Sequence, residues 1–310
     1  MDITLEINLA GLRLKNPIML ASGIMGSSGS LLKRIAKSGI GAVVTKTLTA
    51  EPRKGYDPPI IYSTRCYTLN AVGLANPGIK NFKNDIQEAK ECNIPVIVSL
   101  AGNSPEEFSW MAGLAQDYGA DGVELNLSCP HVKGLGTELG DDPVMVENVV
   151  RSVKKSVKIP VFSKLTPNTS DILIQGFSSV KGGADGLVAV NTLRGMVIDV
   201  ELKAPVLSNI YGGVSGRALH PIAVYSVYRL SSNINVPIIG VGGIETWRDI
   251  IEFILAGATA VQIGTVLISN DPEIIVPKLI KGITNYMKRH NFTNIESMRG
   301  IIHKKKYFEN

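Results

Sequence analysis

Short apolar runs recur eight times along this 310-residue chain, and each is followed by a stretch whose apolar residues have helical spacing. The runs cover residues 17–22, 42–47, 95–100, 122–127, 160–165, 186–190, 237–241 and 260–264. They are apolar on both faces, as parallel strands held between a packed interior and a coat of helices must be. Glycine stops at Ser38-Gly39, Tyr118-Gly119, Gly182-Gly183 and Ala256-Gly257 each end a helix before the next run. In Ser104-Pro105-Glu106-Glu107, Ser104 is placed to cap a helix, Pro105 to open it and Glu107 to complete a capping box. Eight strand–helix units predict an α/β protein, a (β/α)8 TIM barrel. An open doubly wound sheet would want a Gly-x-Gly-x-x-Gly turn after its first strand, and the chain has none there. Residues 4–14 read as an N-terminal hairpin. Two connections, 50–80 and 193–219, are too long for barrel turns and read as ordered insertions over the active-site face, punctuated by Pro52, Pro58, Pro59, Asn76-Pro77-Gly78 and Gly212-Gly213. The expected organisation is one barrel domain over residues 1–310.

A composition of 45% hydrophobic and 19% charged residues is that of a globular chain. Cys66, Cys92 and Cys129 form no Cys-x-x-Cys pair, which argues against a zinc site, an iron–sulfur cluster or a disulfide framework and fits a reducing cytoplasm. The start, Met1-Asp2-Ile3-Thr4-Leu5-Glu6, lacks the basic and apolar regions of a signal peptide, and no run approaches the roughly 18 apolar residues of a membrane span. A cytoplasmic protein without membrane contact is expected. The net charge of +5 is scattered apart from Lys304-Lys305-Lys306, so nucleic-acid binding is not expected. A positive field does suit anionic substrates and a negatively charged redox partner.

In such a barrel the carboxyl ends of all eight strands face one pocket. Those ends carry Ser22, then Lys46 and Thr47, Asn103, the group Asn126, Ser128 and Cys129, Lys164, Val190 with Asn191 and Thr192, Gly242-Gly243, and Gly264-Thr265. The set is poor in carboxylates and histidines, which disfavours metal hydrolysis and paired-carboxylate chemistry. The glycine exits after strands seven and eight expose backbone N–H groups suited to a phosphate. Lys46 and Lys164 each finish an apolar strand, where a charge needs a nearby anion or electron-rich ring. Asn70, Asn103, Asn126 and Asn191 offer donors and acceptors for a planar heterocycle with carbonyl and N–H edges. Cys129 leaves a strand beside polar groups, where a thiol can be reactive or merely packed.

Taken together, Thr45-Lys46-Thr47, the stretch from Asn70 to Gly78, Leu125-Asn126-Leu127-Ser128-Cys129-Pro130, Lys164-Leu165-Thr166-Pro167-Asn168, Asn191-Thr192 and Gly212-Gly213-Val214-Ser215-Gly216 resemble the dihydroorotate dehydrogenases of class 1, B type, over essentially the whole chain. The resemblance implies oxidation of dihydroorotate to orotate in pyrimidine (UMP) biosynthesis, with Cys129 as base and hydride transfer to one FMN per chain. It implies FMN contacts from Ser22, Lys46, Thr47, Asn103, Asn126, Lys164, Val190, Gly216, Gly242, Gly243, Gly264 and Thr265. Substrate contacts would come from Lys46, Asn70, Ala71, Val72, Gly73, Leu74, Asn126, Asn191 and Thr192, and no metal is implied. It further implies a homodimer core without the membrane extension of some relatives. Electrons would pass to a separate subunit carrying FAD and a 2Fe-2S cluster, in a heterotetramer, and on to NAD. The chain has no motif for those groups, so such a subunit would act in trans. Two departures bear on pyrimidine specificity and loop packing. His131 follows Cys129-Pro130 where asparagine is frequent, as in the related domain of dihydropyrimidine dehydrogenase, and Val72 stands where methionine is frequent. Other readings stay open from the residues alone: a fumarate-dependent enzyme of the same class, a flavin barrel acting on another dihydropyrimidine, an aldolase with Lys164 as Schiff-base lysine, or a non-catalytic binding barrel.

Overall fold

The alternation over residues 7–14 becomes a hairpin of β1 (Ile7–Leu9) and β2 (Leu12–Leu14), turned at Ala10-Gly11 with both residues at positive φ. That two-residue turn matches the twist of its strands. The computed structural model describes residues 3–127, 140 and 142–304. Along the chain follow β3 (Ile18–Leu20), α1 (Gly29–Lys37), β4 (Val43–Val44), β5 (Ile61–Ser63), β6 (Thr68–Asn70), α2 (Lys83–Lys90), β7 (Val96–Leu100), α3 (Pro105–Asp117), β8 (Gly122–Asn126), α4 (Pro143–Ser156), β9 (Val161–Lys164), α5 (Ile172–Gly182) and β10 (Gly186–Ala189). The second insertion contributes β11 (Leu193–Gly195), β12 (Ile198–Asp199), β13 (Ala204–Pro205) and β14 (Gly212–Ser215). The alternation then resumes with α6 (His220–Asn233), β15 (Ile238–Val241), α7 (Trp247–Leu255), β16 (Ala260–Ile263), α8 (Pro272–Arg289) and α9 (Ile301–Lys304).

Eight strands form one parallel sheet in the order β3-β16-β15-β10-β9-β8-β7-β4. The ends of that order meet: Leu20 N donates to Ala42 O at 3.0 Å and Gly41 N to Ile18 O at 2.8 Å, so the sheet closes into the expected barrel. All four predicted glycine stops, Gly39, Gly119, Gly183 and Gly257, take the left-handed conformation that lets a helix end and the chain turn back.

Two of these stops belong to a repeated Gly-Ala-Asp-Gly segment, residues 119–122 and 183–186. In the first copy, Asp121 Oδ2 accepts from Val96 N at 2.7 Å and from Lys90 Nζ at 2.6 Å. In the second, Asp185 Oδ2 accepts from Val161 N at 2.8 Å and from Lys154 Nζ at 2.5 Å. Each aspartate thus ties the foot of the preceding barrel strand to the helix before its own.

Two details depart from the sequence expectation. Ser104 Oγ accepts from Glu107 N at 3.2 Å as a cap should, but the Glu107 carboxylate turns to Asn103 N at 2.7 Å instead of closing the capping box on Ser104. The expected strand over 42–47 is regular only at Val43–Val44. Its ladder to β7 runs Val43 N to Pro95 O and Thr45 N to Ile97 O, but the next bond, to Ser99 O, comes from Leu48 rather than Thr47. One extra residue is accommodated in a bulge.

The two insertions join each other. Strands β11, β14, β6 and β5 form one antiparallel sheet in that order, with β12 and β13 as a separate ribbon. Leu69, Ala71 and Leu207 form a small core of their own beneath it.

Asp185→Ala removes a charge-assisted acceptor and leaves Val161 N–H without its partner, so urea unfolding is expected to show a loss of about 1–3 kcal/mol. A loss within experimental error would show that the aspartate does not staple the strand foot.

Candidate active site at the barrel mouth

A cavity of about 670 Å³ opens at the carboxyl ends of the barrel strands, within the size range of cofactor and ligand sites. Lining it from the strand exits are Ser22, Lys46, Thr47, Asn126, Lys164, Val190, Asn191 and Thr192. The first insertion contributes Asn70, Ala71, Val72, Gly73 and Leu74, the second Gly216, and the last two exits Gly242, Gly243, Gly264 and Thr265. Asn103 is not brought into this lining. It is exposed, and its amide is taken by Glu107, with Nδ2 donating to Oε2 at 3.2 Å. Cys129, with Ser128 and His131, lies outside the described residues.

The bulge explains how Lys46 reaches the cavity. Its backbone N–H leaves the β7 ladder and donates to Gly26 O at 2.8 Å, and a Cβ on Gly26 would stand 2.7 Å from that nitrogen. Thr45 secures the distortion, its hydroxyl donating to Lys46 O at 2.9 Å and accepting from Ser99 N at 3.1 Å. Lys46 is largely buried, and its ammonium has no ion pair or hydrogen bond among the described residues. Burial alone pushes its pKa below the ordinary lysine value.

Lys164 differs: its ammonium donates to Ser22 Oγ at 3.1 Å, Glu124 Oε1 at 3.4 Å and Gln262 Oε1 at 3.4 Å. Glu124 is 1% exposed and also accepts from Gln262 Nε2 at 2.7 Å. Neither Glu124 nor Gln262 appears among the residues expected at the site, because both sit inside their strands rather than at the exits. Their signal was a polar residue on the same face as the next rim residue, Glu124 two before Asn126 and Gln262 two before Gly264.

Asn191 Nδ2 donates to Asn126 Oδ1 at 3.0 Å, while its Oδ1 accepts from Thr192 N at 2.8 Å. Asn168 also matters: its Nδ2 donates to Thr192 O at 3.1 Å and its Oδ1 accepts from Arg194 N at 2.8 Å, pinning the exit of β10. Across the insertion sheet, Asn70 Nδ2 donates to Gly213 O at 3.2 Å. At the seventh exit, Gly243 has φ +64°, and a Cβ there would meet Gly216 O at 2.6 Å. The carbonyl of Gly242 is held by the His220 ring at 3.0 Å. The N–H groups of Gly243 and Thr265 have no partner among the described residues. Backbone donors and a lysine without partners among the described residues, beside a cradle of glycines, fit a phosphorylated, electron-rich ring system such as FMN.

The family model described as dihydroorotate dehydrogenase matches residues 4–287. The chain belongs to the dihydroorotate dehydrogenase family. A Pyrococcus furiosus protein named dihydroorotate dehydrogenase B (NAD(+)), catalytic subunit, is 45% identical over 302 residues, covering 97% of this chain and 100% of that one. Proteins of the same name from Methanocella arvoryzae and Methanocaldococcus jannaschii are each 44% identical, covering 96% and 97% of this chain and 97% and 99% of their own lengths. Among the described residues the two rim lysines are in opposite electrostatic states, Lys164 paired and Lys46 not.

That contrast gives a signed test. The unfolded chain holds the Lys46 proton at its ordinary pKa of 10.5 and the folded chain at a lower one. Charged Lys46 therefore costs stability below the folded value, and the cost fades as pH rises from there to the unfolded value. Lys46→Met is expected to keep or raise the melting temperature of the ligand-free protein at neutral pH. It should also weaken binding of an anion such as orotate roughly 10–100-fold by calorimetry, as befits a lost charge-assisted hydrogen bond. In the parent, orotate affinity should fall as pH rises through the Lys46 titration. A variant that melts lower yet binds orotate normally would make Lys46 a packing residue.

Proposed function

We propose that this chain is the FMN-holding catalytic subunit of a B-type dihydroorotate dehydrogenase, oxidising dihydroorotate to orotate in pyrimidine biosynthesis as a single barrel domain. The observation that carries the reading is the largely buried Lys46, unpaired among the described residues and set in one cavity with the amide cluster and the glycine cradle. The substrate supplies what those residues lack: a carboxylate for a cation, and ring carbonyl and N–H edges for amides.

When bound, FMN supplies the acceptor for the hydride that leaves the substrate ring. Gly216, Gly242, Gly243, Gly264 and Thr265 would hold its phosphate, and Ser22, Thr47, Asn126, Val190 and Lys164 its ring system, with Asn103 entering only if its amide leaves Glu107. Lys46 would face both cofactor and substrate. Asn70, Ala71, Val72, Gly73 and Leu74 would cover the substrate, with Asn126, Asn191 and Thr192 holding its polar edges. Lys164 would stabilise negative charge gathering at the ring edge it faces. Cys129 would remove the proton from the substrate carbon next to the one that loses hydride. A free thiol has a pKa of about 8.5 and is only a few per cent thiolate at neutral pH, so activity should rise towards alkaline pH.

The relatives' name, catalytic subunit, supports a partner that takes the electrons onward to NAD. An FAD and 2Fe-2S subunit, joined to a homodimer of this chain as a heterotetramer, fits the absence of any motif for those groups in the sequence. No described helix is long and apolar enough to cross a membrane.

Purified alone, the chain is expected to be yellow, to be bleached by dihydroorotate and to turn over with a dye but not with fumarate or NAD. Turnover with fumarate would place it with the self-sufficient enzymes of class 1, and bleaching by dihydrouracil instead of dihydroorotate would replace the substrate. Cys129→Ala should retain FMN while stopped-flow flavin reduction slows by about 10²–10⁴-fold, the usual worth of a positioned base. A parental rate in that variant would remove Cys129 from the chemistry.

A further inference from the structure

We propose that Glu124 is a positioning residue for Lys164, braced by Gln262, and that it holds the Lys164 ammonium aimed at the cavity from behind. The inference rests on the flavin reading above. Lys164 and Gln262 line the cavity, whereas Glu124 lies beneath them on β8 and is 1% exposed. The three side chains close a ring. Lys164 Nζ donates to Glu124 Oε1 at 3.4 Å and to Gln262 Oε1 at 3.4 Å, and Gln262 Nε2 donates to Glu124 Oε2 at 2.7 Å. Ser99 Oγ donates to Glu124 Oε1 at 3.5 Å and shares a hydrogen bond with Thr47 Oγ1 at 3.0 Å, so the ring is anchored on strand β7 and on the chain just beyond β4.

A stability role alone does not account for this ring. Buried ion pairs are often replaceable by apolar residues of similar volume at no loss, whereas removing one partner leaves a costly lone charge. What the pair does that an apolar filling could not is to present a cation at the cavity floor. Of the three acceptors on Lys164 Nζ among the described residues, Ser22 Oγ alone lies outside the ring, at 3.1 Å on the cavity lining. That is the bond a cofactor atom can share or replace while the other two hold the ammonium in place. Without the Glu124 carboxylate, a lysine only 5% exposed loses its counterion and the anchor that aims its ammonium at the cavity. The field that favours a negatively charged, reduced ring then weakens.

The test is the midpoint potential of bound FMN, read by dye equilibration, with FMN affinity and thermal unfolding followed alongside. Glu124→Gln is expected to reduce the preference for reduced over oxidised flavin about tenfold, a potential lowered by about 30 mV for a two-electron couple. Lys164→Met should lower it as well, and adding Glu124→Gln to Lys164→Met should lower it no further, because Glu124 acts only through the lysine. Gln262→Leu, which removes the brace and no charge, is expected to shift it the same way by about threefold, and it supplies the answer should Glu124→Gln not fold. A parental or raised potential in Glu124→Gln, or an equal further drop in the Lys164→Met background, would overturn the proposal. So would a parental potential in Gln262→Leu if that variant is the one that folds. A parent chain that takes up no FMN overturns the flavin reading, and this inference with it. FMN uptake with unmoved potentials overturns the inference alone.

Discussion

A closed parallel sheet has no edge, so its strands spend their backbone hydrogen bonds on one another and leave polar chemistry two places: the carboxyl rim and the axis just beneath it. Any charge set there is desolvated and must find an opposite charge, a hydrogen bond or a ligand. The two rim lysines meet that demand differently. Lys164 is answered from within the protein by Glu124 and Gln262, whereas Lys46 has no such partner among the described residues. A barrel with both lysines paired would have little attraction for an anion. With neither paired, it would carry two uncompensated charges when empty.

Backbone geometry produces this difference. Lys164 ends a regular strand, so its side chain points into the barrel at the level its register dictates, one layer above Glu124. Lys46 sits in a bulge, where the chain gains a residue against β7 and the lysine N–H is handed to Gly26. The bulge takes the Lys46 N–H out of the β7 ladder, and its side chain lines the cavity with no counterion among the described residues. Gly26 is needed because the approach leaves no room for a Cβ.

Much of this was legible in the sequence. Apolar runs of strand length, separated by helices with glycine stops, specify the barrel through simple periodicity, and naming the strand ends is enough to bring Ser22, Lys46, Lys164, Asn126, Asn191 and the glycine exits to one cavity. The misses share a cause. Glu124 and Gln262 are interior residues whose importance lies in what stands opposite them on other strands, 40 and 98 residues from Lys164, and register between distant strands is not written in local pattern. The bulge at Lys46 was hidden for the same reason, since an extra residue shows only against its partner strand. Asn103 was expected at the site by its position after β7, but a local competitor, Glu107 one turn into α3, holds its amide.

The two insertions show how the barrel gives up flatness at its mouth to gain coupling. The sheet they share places β14 between β11 and β6, so the segment leading from the sixth strand exit to Gly216 is hydrogen-bonded to the strand leading into the loop from Asn70 to Leu74. Gly212 makes that contact possible, and Gly213 lets the same strand pass close to the exit of β10. A Cβ on Gly212 would stand 2.4 Å from Asn70 O, and one on Gly213 would stand 2.1 Å from the Thr192 hydroxyl. The loop over one end of the cavity and the glycine cradle at the other are therefore parts of one hydrogen-bonded body. An outward movement of residues 70–74 must break the β6–β14 ladder or carry β14, and with it Gly216, along. The cover and Gly216 of the cradle are thus held by one sheet, whose two halves come from insertions more than a hundred residues apart in the chain.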